Sequence, residues 1–183
     1  MALVILMKKK CLNLGSGKDY IGSNEKEEWV NLDINDDWKV DVIWNLEKTP
    51  YPFKANTFDF VKAHDIFEHF DHEGVIKVIN ELKRIAKEEN LIDVEAPYFT
   101  TPNAYGYHHK TQFHRDTFHP TIFPNVEVLK CEIIFSRSYP LKILNWFINK
   151  NQRIYERFFC YMLPSQVIRF QLKLKKDIKN KIR

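Results

Sequence analysis

The stretch Leu12-Asn13-Leu14-Gly15-Ser16-Gly17-Lys18 decides how the rest of the chain is read. An apolar run stops at a Gly-x-Gly turn, and a second apolar run, Trp29-Val30-Asn31-Leu32, ends in Asp33. This is how a strand, a tight ligand loop, a second strand and a ribose-binding acid are written. Glycines let the backbone approach a ligand where any Cβ would collide. An acid ending the next strand can accept hydrogen bonds from both ribose hydroxyls of a nucleoside. The pattern also fits dinucleotide binders, but the third glycine of that fingerprint is missing, and Tyr20 stands in its place.

Outward from this turn, strands are expected at 11–14, 29–33, 41–46, 58–64 and 91–96, each short and largely apolar. The apolar run Ala2 to Met7 could lengthen the first. Asp71 reads as a helix N-cap. After it, Val75, Val78, Ile79, Leu82, Ile85 and Ala86 recur at helical spacing, and Lys83, Arg84 and Lys87 suit the helix C-terminus. Strand, helix, strand in that order predicts a right-handed crossover and a parallel sheet. Only seven residues separate Asp33 from Asp41, too few for a helical crossover, so one face of the sheet is expected to be thinly covered. A turn is expected at Glu89-Asn90, with Asn90 as a left-handed cap.

Residues 98–125 are rich in Tyr, His, Thr, Phe and Pro without a period, as a lid or binding loop would be. A strand at 126–135, two aromatic-rich helices at 141–149 and 152–163, and a half-exposed final strand at 167–174 complete the reading. The aromatics of 141–163 are read as core rather than as a ligand box. Their place between the last two strands keeps an apolar or lipid-linked acceptor in view.

The length of 183 residues is that of one domain, 1–183, with a lid at 98–125 and a helical insertion at 140–165. Charged residues at 28% and hydrophobic ones at 44% are ordinary globular composition, and a 14% aromatic share argues against disorder. Cys11, Cys131 and Cys160 form no C-x-x-C pair, which points to reduced thiols and a cytoplasmic setting. The N-terminal apolar run is too short to span a bilayer, and its charge order is wrong for a signal peptide. From Gln166 to Arg183, five Lys and two Arg face one Asp. This is a solvated edge or a contact to an anionic surface, membrane or nucleic acid.

Five segments, in order, resemble the class I S-adenosylmethionine-dependent methyltransferases, in the compact group described as methyltransferase type 11-like. They are the glycine turn, Trp29 to Ile34, Pro52-Phe53 with Thr57-Phe58-Asp59, Ala63-His64-Asp65-Ile66-Phe67-Glu68-His69, and Glu81-Leu82-Lys83-Arg84. The resemblance implies an α/β Rossmann-like three-layer sandwich, with a mostly parallel sheet, an antiparallel last strand and reduced helix cover on one face. It implies that Asn13, Gly15, Ser16 and Gly17 line the amino-acid end and adenosine of S-adenosyl-L-methionine. Asp33 then binds the ribose, Asn45 and Leu46 the adenine, and His64 lies beside the sulfonium. The helix that usually follows the glycine loop has little room here.

Methyl transfer to oxygen or nitrogen is helped by a general base. His69 and His109 are the candidates carried forward, with Glu68, Asp65, His108 and His114 nearby. Glu68 and His69 could equally tie the turn to the following helix. Neither a C-x-x-C nor an H-E-x-x-H frame is present, so no metal is expected. The acceptor is expected to be a small molecule or a glycan-type or lipid-linked group. A non-catalytic methyltransferase-like scaffold and a nucleic-acid methyltransferase are the alternatives. An Asn/Asp-Pro-Pro-Tyr motif after the fourth strand is absent, which counts against amino-methylation of bases.

Overall fold

A computed structural model describes residues 8–176. The apolar N-terminus and the last basic residues of the tail lie outside them. Seven strands form one sheet in the order β3-β2-β1-β4-β5-β7-β6. They are β1 Lys9–Leu14, β2 Glu27–Asp33, β3 Val42–Ile43, β4 Phe58–His64, β5 Ala86–Pro97, β6 Val126–Ile134 and β7 Val167–Leu174. Neighbours pair in parallel except β7, which runs antiparallel to both β5 and β6. This is the expected Rossmann-like arrangement, mostly parallel with an antiparallel last strand.

Helical cover is thin. The helix α1, His72–Ile85, is the one long helix among the described residues. Asp71 caps it by accepting from the Gly74 N–H at 2.7 Å, and Val75, Val78, Ile79, Leu82 and Ile85 form its buried face. Near its end, Arg84 donates to the carbonyls of Tyr51 and Phe53 and pairs with Glu81, fixing the loop that leads into β4. No helix lies between β1 and β2 or between β2 and β3. An extended return joins β2 to β3, with Leu32 paired to Val42 and Asp33 to Ile43.

In place of a helix, side-chain amides hold the chain after the glycine turn. Asn31 is fully buried in β2. Its Oδ1 accepts from the Ile21 N–H (2.9 Å) and from Asn13 Nδ2 (3.1 Å). Its Nδ2 donates to the Ile21 carbonyl and to Asp41 Oδ2, at 2.9 and 2.8 Å. One side-chain amide thereby makes four hydrogen bonds and uses its full capacity.

Several sequence expectations need correction. β3 has two residues rather than six, because the chain turns at Asn45. β5 starts directly after α1 at Ala86, so no turn forms at Glu89-Asn90. Asn90 is instead buried within β5, donating to the Leu174 carbonyl and accepting from its N–H, both at 3.0 Å. The first aromatic helix is α2, Ile143–Lys150. The second is a single α-turn, Gln152–Ile154, running into a π-helical turn, Tyr155–Phe159. Tyr155 is buried in the core, but most of the other aromatics are not. Trp146, Phe147, Phe158 and Tyr161 are 59–78% exposed.

Residues 98–125 are tied down by their own aromatics. Phe113, Phe118 and Phe123 are buried, and Phe118 packs edge-on against Phe67 and Phe170. Each buried Phe contributes about 1.5–3 kcal/mol. Glu156, in the π-turn, accepts from Tyr98 Oη (3.1 Å) at the end of β5 and from the Arg115 N–H (3.0 Å). One carboxylate therefore joins three segments. No helix among the described residues is long and apolar enough to cross a membrane.

Candidate functional site

Parallel strands deliver their carboxyl ends to one edge of the sheet, where such folds bind ligands. A cavity of about 480 Å³ lies there, against the ends of β1, β2 and β4. That volume is within the range of small-molecule sites. Gly15, Gly17, Asp33, Asn45, Leu46 and His69 line it. A larger hollow, about 760 Å³, lies along the N-terminal half of β6 and shares no residue with it.

The turn is shaped by its glycines. Gly15 has φ +66°, and a Cβ there would lie 2.6 Å from Ile66 Cγ1. Gly17 has φ +47° and faces open space. Its N–H donates to Asp33 Oδ2 at 2.8 Å, which locks the turn to the end of β2. Asp33 Oδ1 accepts from the Asn35 N–H at 2.9 Å. A carboxylate offers about four acceptor positions, so Asp33 keeps capacity for a diol. Asn45 Oδ1 accepts from the Glu47 N–H at 2.8 Å, setting the turn that brings Leu46 to the cavity wall.

Other expected site residues stand elsewhere. Asn13 is buried and its amide donates to the Asp19 carbonyl (2.6 Å) and Asn31, so it orders the loop from beneath. Ser16 is buried, and its Oγ has no hydrogen-bond partner. His64 Nε2 lies 2.9 Å from Asp93 Oδ2, and Arg169 grips the same carboxylate from β7. None of the three lines the cavity. Burial alone would raise the Asp93 carboxyl, but hydrogen bonds from His64 and Arg169 hold it down at about 2.

The structure adds Ile34, Trp44 and Asp65 to the wall. Asp65 is in a left-handed conformation, φ +50°, at the end of β4. Asp tolerates that region, and such positions cluster at functional sites. Three carboxylates, Asp33, Glu47 and Asp65, line the cavity, with no Lys or Arg among its lining residues. The site therefore suits a cation and disfavours a pyrophosphate.

Beside the cavity, Glu68 is 1% exposed. Burial, reinforced by Asp65 and Glu95 and partly offset by its own backbone N–H, pushes its carboxyl up to about 8. Burial lowers the pKa of His69. The ring of His109, from the 98–125 segment, stands edge-on to His69 at 4.8 Å between centroids. The spacing of 40 residues between these histidines hides their proximity in the sequence.

No protein-family model matches the chain, and no curated protein matches it. Solved structures do. A SAM-dependent methyltransferase from Archaeoglobus fulgidus superposes with TM-score 0.65 at 18% identity, over 92% of this chain and 87% of that one. An S-adenosylmethionine-dependent methyltransferase from Clostridium acetobutylicum gives 0.60 at 10% identity, over 93% and 86%. The [4+2]-cyclase SpnF gives 0.60 at 12% identity, over 94% and 76%. The chain thus has the class I methyltransferase fold.

Proposed function

We propose that the chain binds S-adenosyl-L-methionine in the cavity at the glycine turn and transfers its methyl group to an oxygen or nitrogen acceptor. The carrying observation is the cavity's make-up: a turn with no room for a Cβ at Gly15, a ribose-competent acid at Asp33, and three carboxylates with no lining Lys or Arg. These features fit a cofactor that is cationic and carries a nucleoside. When bound, it supplies a methyl carbon that an acceptor lone pair attacks as the carbon–sulfur bond breaks and its electrons pass to sulfur. The residues' task is to hold acceptor and methyl in line, worth about 7–11 kcal/mol when well oriented. Asp33 holds the ribose, Asn45 and Leu46 the adenine, and Gly15 and Gly17 admit the backbone. His69 on the wall, with the His109 ring edge-on to it, lines the side on which the acceptor would lose its proton.

The acceptor is proposed to be a small molecule or a glycan-type or lipid-linked group. The exposed aromatics of 141–163 support the lipid-linked form, since ten large apolar side chains in that stretch are exposed. Lys142, Lys150, Arg153 and Arg157 are exposed among them. Aromatic and cationic side chains together suit an anionic bilayer surface. The missing helix behind the glycine turn favours a second reading, a scaffold that keeps the fold without the transfer.

Calorimetry with S-adenosylmethionine and S-adenosylhomocysteine separates these readings, and binding of neither would sink the enzyme reading. Asp33→Asn keeps the side chain's shape and should weaken cofactor binding about tenfold, roughly 1.4 kcal/mol. An unchanged affinity would mean the ribose lies elsewhere.

A further inference from the structure

The turn Phe67–His69 and the 98–125 segment are stitched together by backbone. The N–H groups of Lys110 and Thr111 donate to the Glu68 carbonyl at 2.7 and 3.2 Å, and Thr111 Oγ1 donates to the Phe70 carbonyl at 2.8 Å. His69 Nδ1 lies 3.3 Å from the His108 carbonyl. These bonds carry His109 onto His69 and Glu68. Each of the three offers a ligand atom, and those atoms lie within 4.8 Å of one another.

Two atoms in this group are orphans. Four buried side-chain nitrogens or oxygens among the described residues have no hydrogen-bond partner, and Glu68 Oε2 and His109 Nδ1 are two of them. A buried unpartnered polar group is destabilising, and more so when charged. Two such atoms from distant segments, brought together by deliberate backbone bonds, point to something that sits between them.

We propose that Glu68, His69 and His109 form a divalent metal site, which departs from the sequence expectation of no metal. Two imidazoles and one carboxylate with open positions form the donor set of catalytic rather than structural sites. Imidazole donors favour zinc, copper, iron or nickel over calcium and magnesium, and Co²⁺ serves as a spectroscopic stand-in for zinc. Bonds near 2.1 Å place donor atoms about 3–3.5 Å apart, so the group closes by side-chain shifts of about an ångström. What the metal does rests on the cofactor reading of the neighbouring cavity. His69 lies on that cavity's wall, so an open position faces the acceptor's approach. A hydroxyl coordinated there loses its proton to solvent more readily, and the metal orients it toward the methyl. The acceptor class is therefore one with a coordinating hydroxyl. His69 and His109 then serve as ligands and not as the base.

The test uses the full chain without a histidine tag, stripped by a chelator and titrated with Co²⁺ in the visible range and Zn²⁺ by calorimetry. One equivalent should bind, with Co²⁺ giving ligand-field absorption. Affinity should fall at least tenfold in His109→Ala and in Glu68→Gln, each checked for folding by circular dichroism. His119→Ala should bind as the parent does. Absence of one-to-one binding, or binding undiminished in both variants, overturns the site. S-adenosylmethionine binding to the stripped chain is measured separately. Cofactor binding without Co²⁺ binding ends this proposal alone, and the reverse ends the cofactor reading alone.

Discussion

Replacing Gly15 by Ala should be among the most damaging single-atom-group additions in the chain. At φ +66° an ordinary residue pays about 1–2 kcal/mol for the left-handed conformation. The new Cβ would also lie 2.6 and 2.7 Å from Cγ1 and Cδ1 of Ile66, and 3.0 Å from its Cβ. Rotation can move the two outer atoms, but the Cβ is fixed to the backbone that enters the turn Phe67–His69. Overpacking of this kind adds about 1–3 kcal/mol. The sum, about 2–5 kcal/mol, is a large share of a typical total stability of 5–15 kcal/mol. For a chain of this size it corresponds to a fall in Tm of roughly 4–20 °C. Gly17→Ala is the internal control: its φ is +47° with nothing within 4 Å, so it should cost only the conformational part, about 1–2 kcal/mol. Urea denaturation of both variants reads the difference. The double variant Gly15→Ala/Ile66→Ala removes the two closest atoms and should recover about 1 kcal/mol relative to additivity. Equal destabilisation by Gly15→Ala and Gly17→Ala would refute the close approach of Ile66 to the turn.

Three further outcomes are expected. Asp93 is held at about 2 against its ordinary 3.8, so it contributes stability above pH 4 that is lost as pH falls through 2, about 2–3 kcal/mol; Asp93→Asn should flatten that part of the acid-unfolding profile, and an unchanged profile would remove His64 and Arg169 as its cause. Asn31→Ala leaves the Ile21 N–H and carbonyl without their side-chain partner, while Asp41 Oδ2 keeps the backbone N–H of residue 31; it should cost about 2 kcal/mol, read by denaturant midpoint, while a neutral result would mean water replaces the amide. Co-sedimentation with vesicles containing phosphatidylglycerol should retain the chain more than phosphatidylcholine does, less so at high salt; Trp146→Ser/Phe147→Ser should lower retention, and indifference to both lipid and substitution would end the bilayer reading.

Elements with a strong local code were legible in the sequence. Asp71 as a cap, the helical face from Val75 to Ile85 and the alternation of β7 all depend on near neighbours, and all appear. The elements that escaped depend on partners far along the chain. Asn90 looks like a turn residue until β7 arrives, when pairing with Leu174 makes it a strand residue. Trp146 and Phe147 look like core because composition does not say whether anything covers them. In the site, Gly15, Gly17 and Asp33 were legible because strand ends converge by topology. Asp65 is marked in the sequence only by its nearness to Glu68 and His69, and the meeting of His69 with His109 is set by bonds from Lys110 and Thr111 to the Glu68 carbonyl that no local pattern announces.

The carboxylate of Glu156 has a consequence for how the proposed acceptor specificity could change. It holds Tyr98 at the end of β5, Arg115 in the following segment, and its own π-turn between β6 and β7. Those segments are where loop exchange would ordinarily be used to alter specificity. Here they are not independent modules. A graft of residues 98–125 alone would strand Glu156 without the Arg115 N–H and guanidinium, so the segment and the π-turn must be exchanged, or evolve, as a pair.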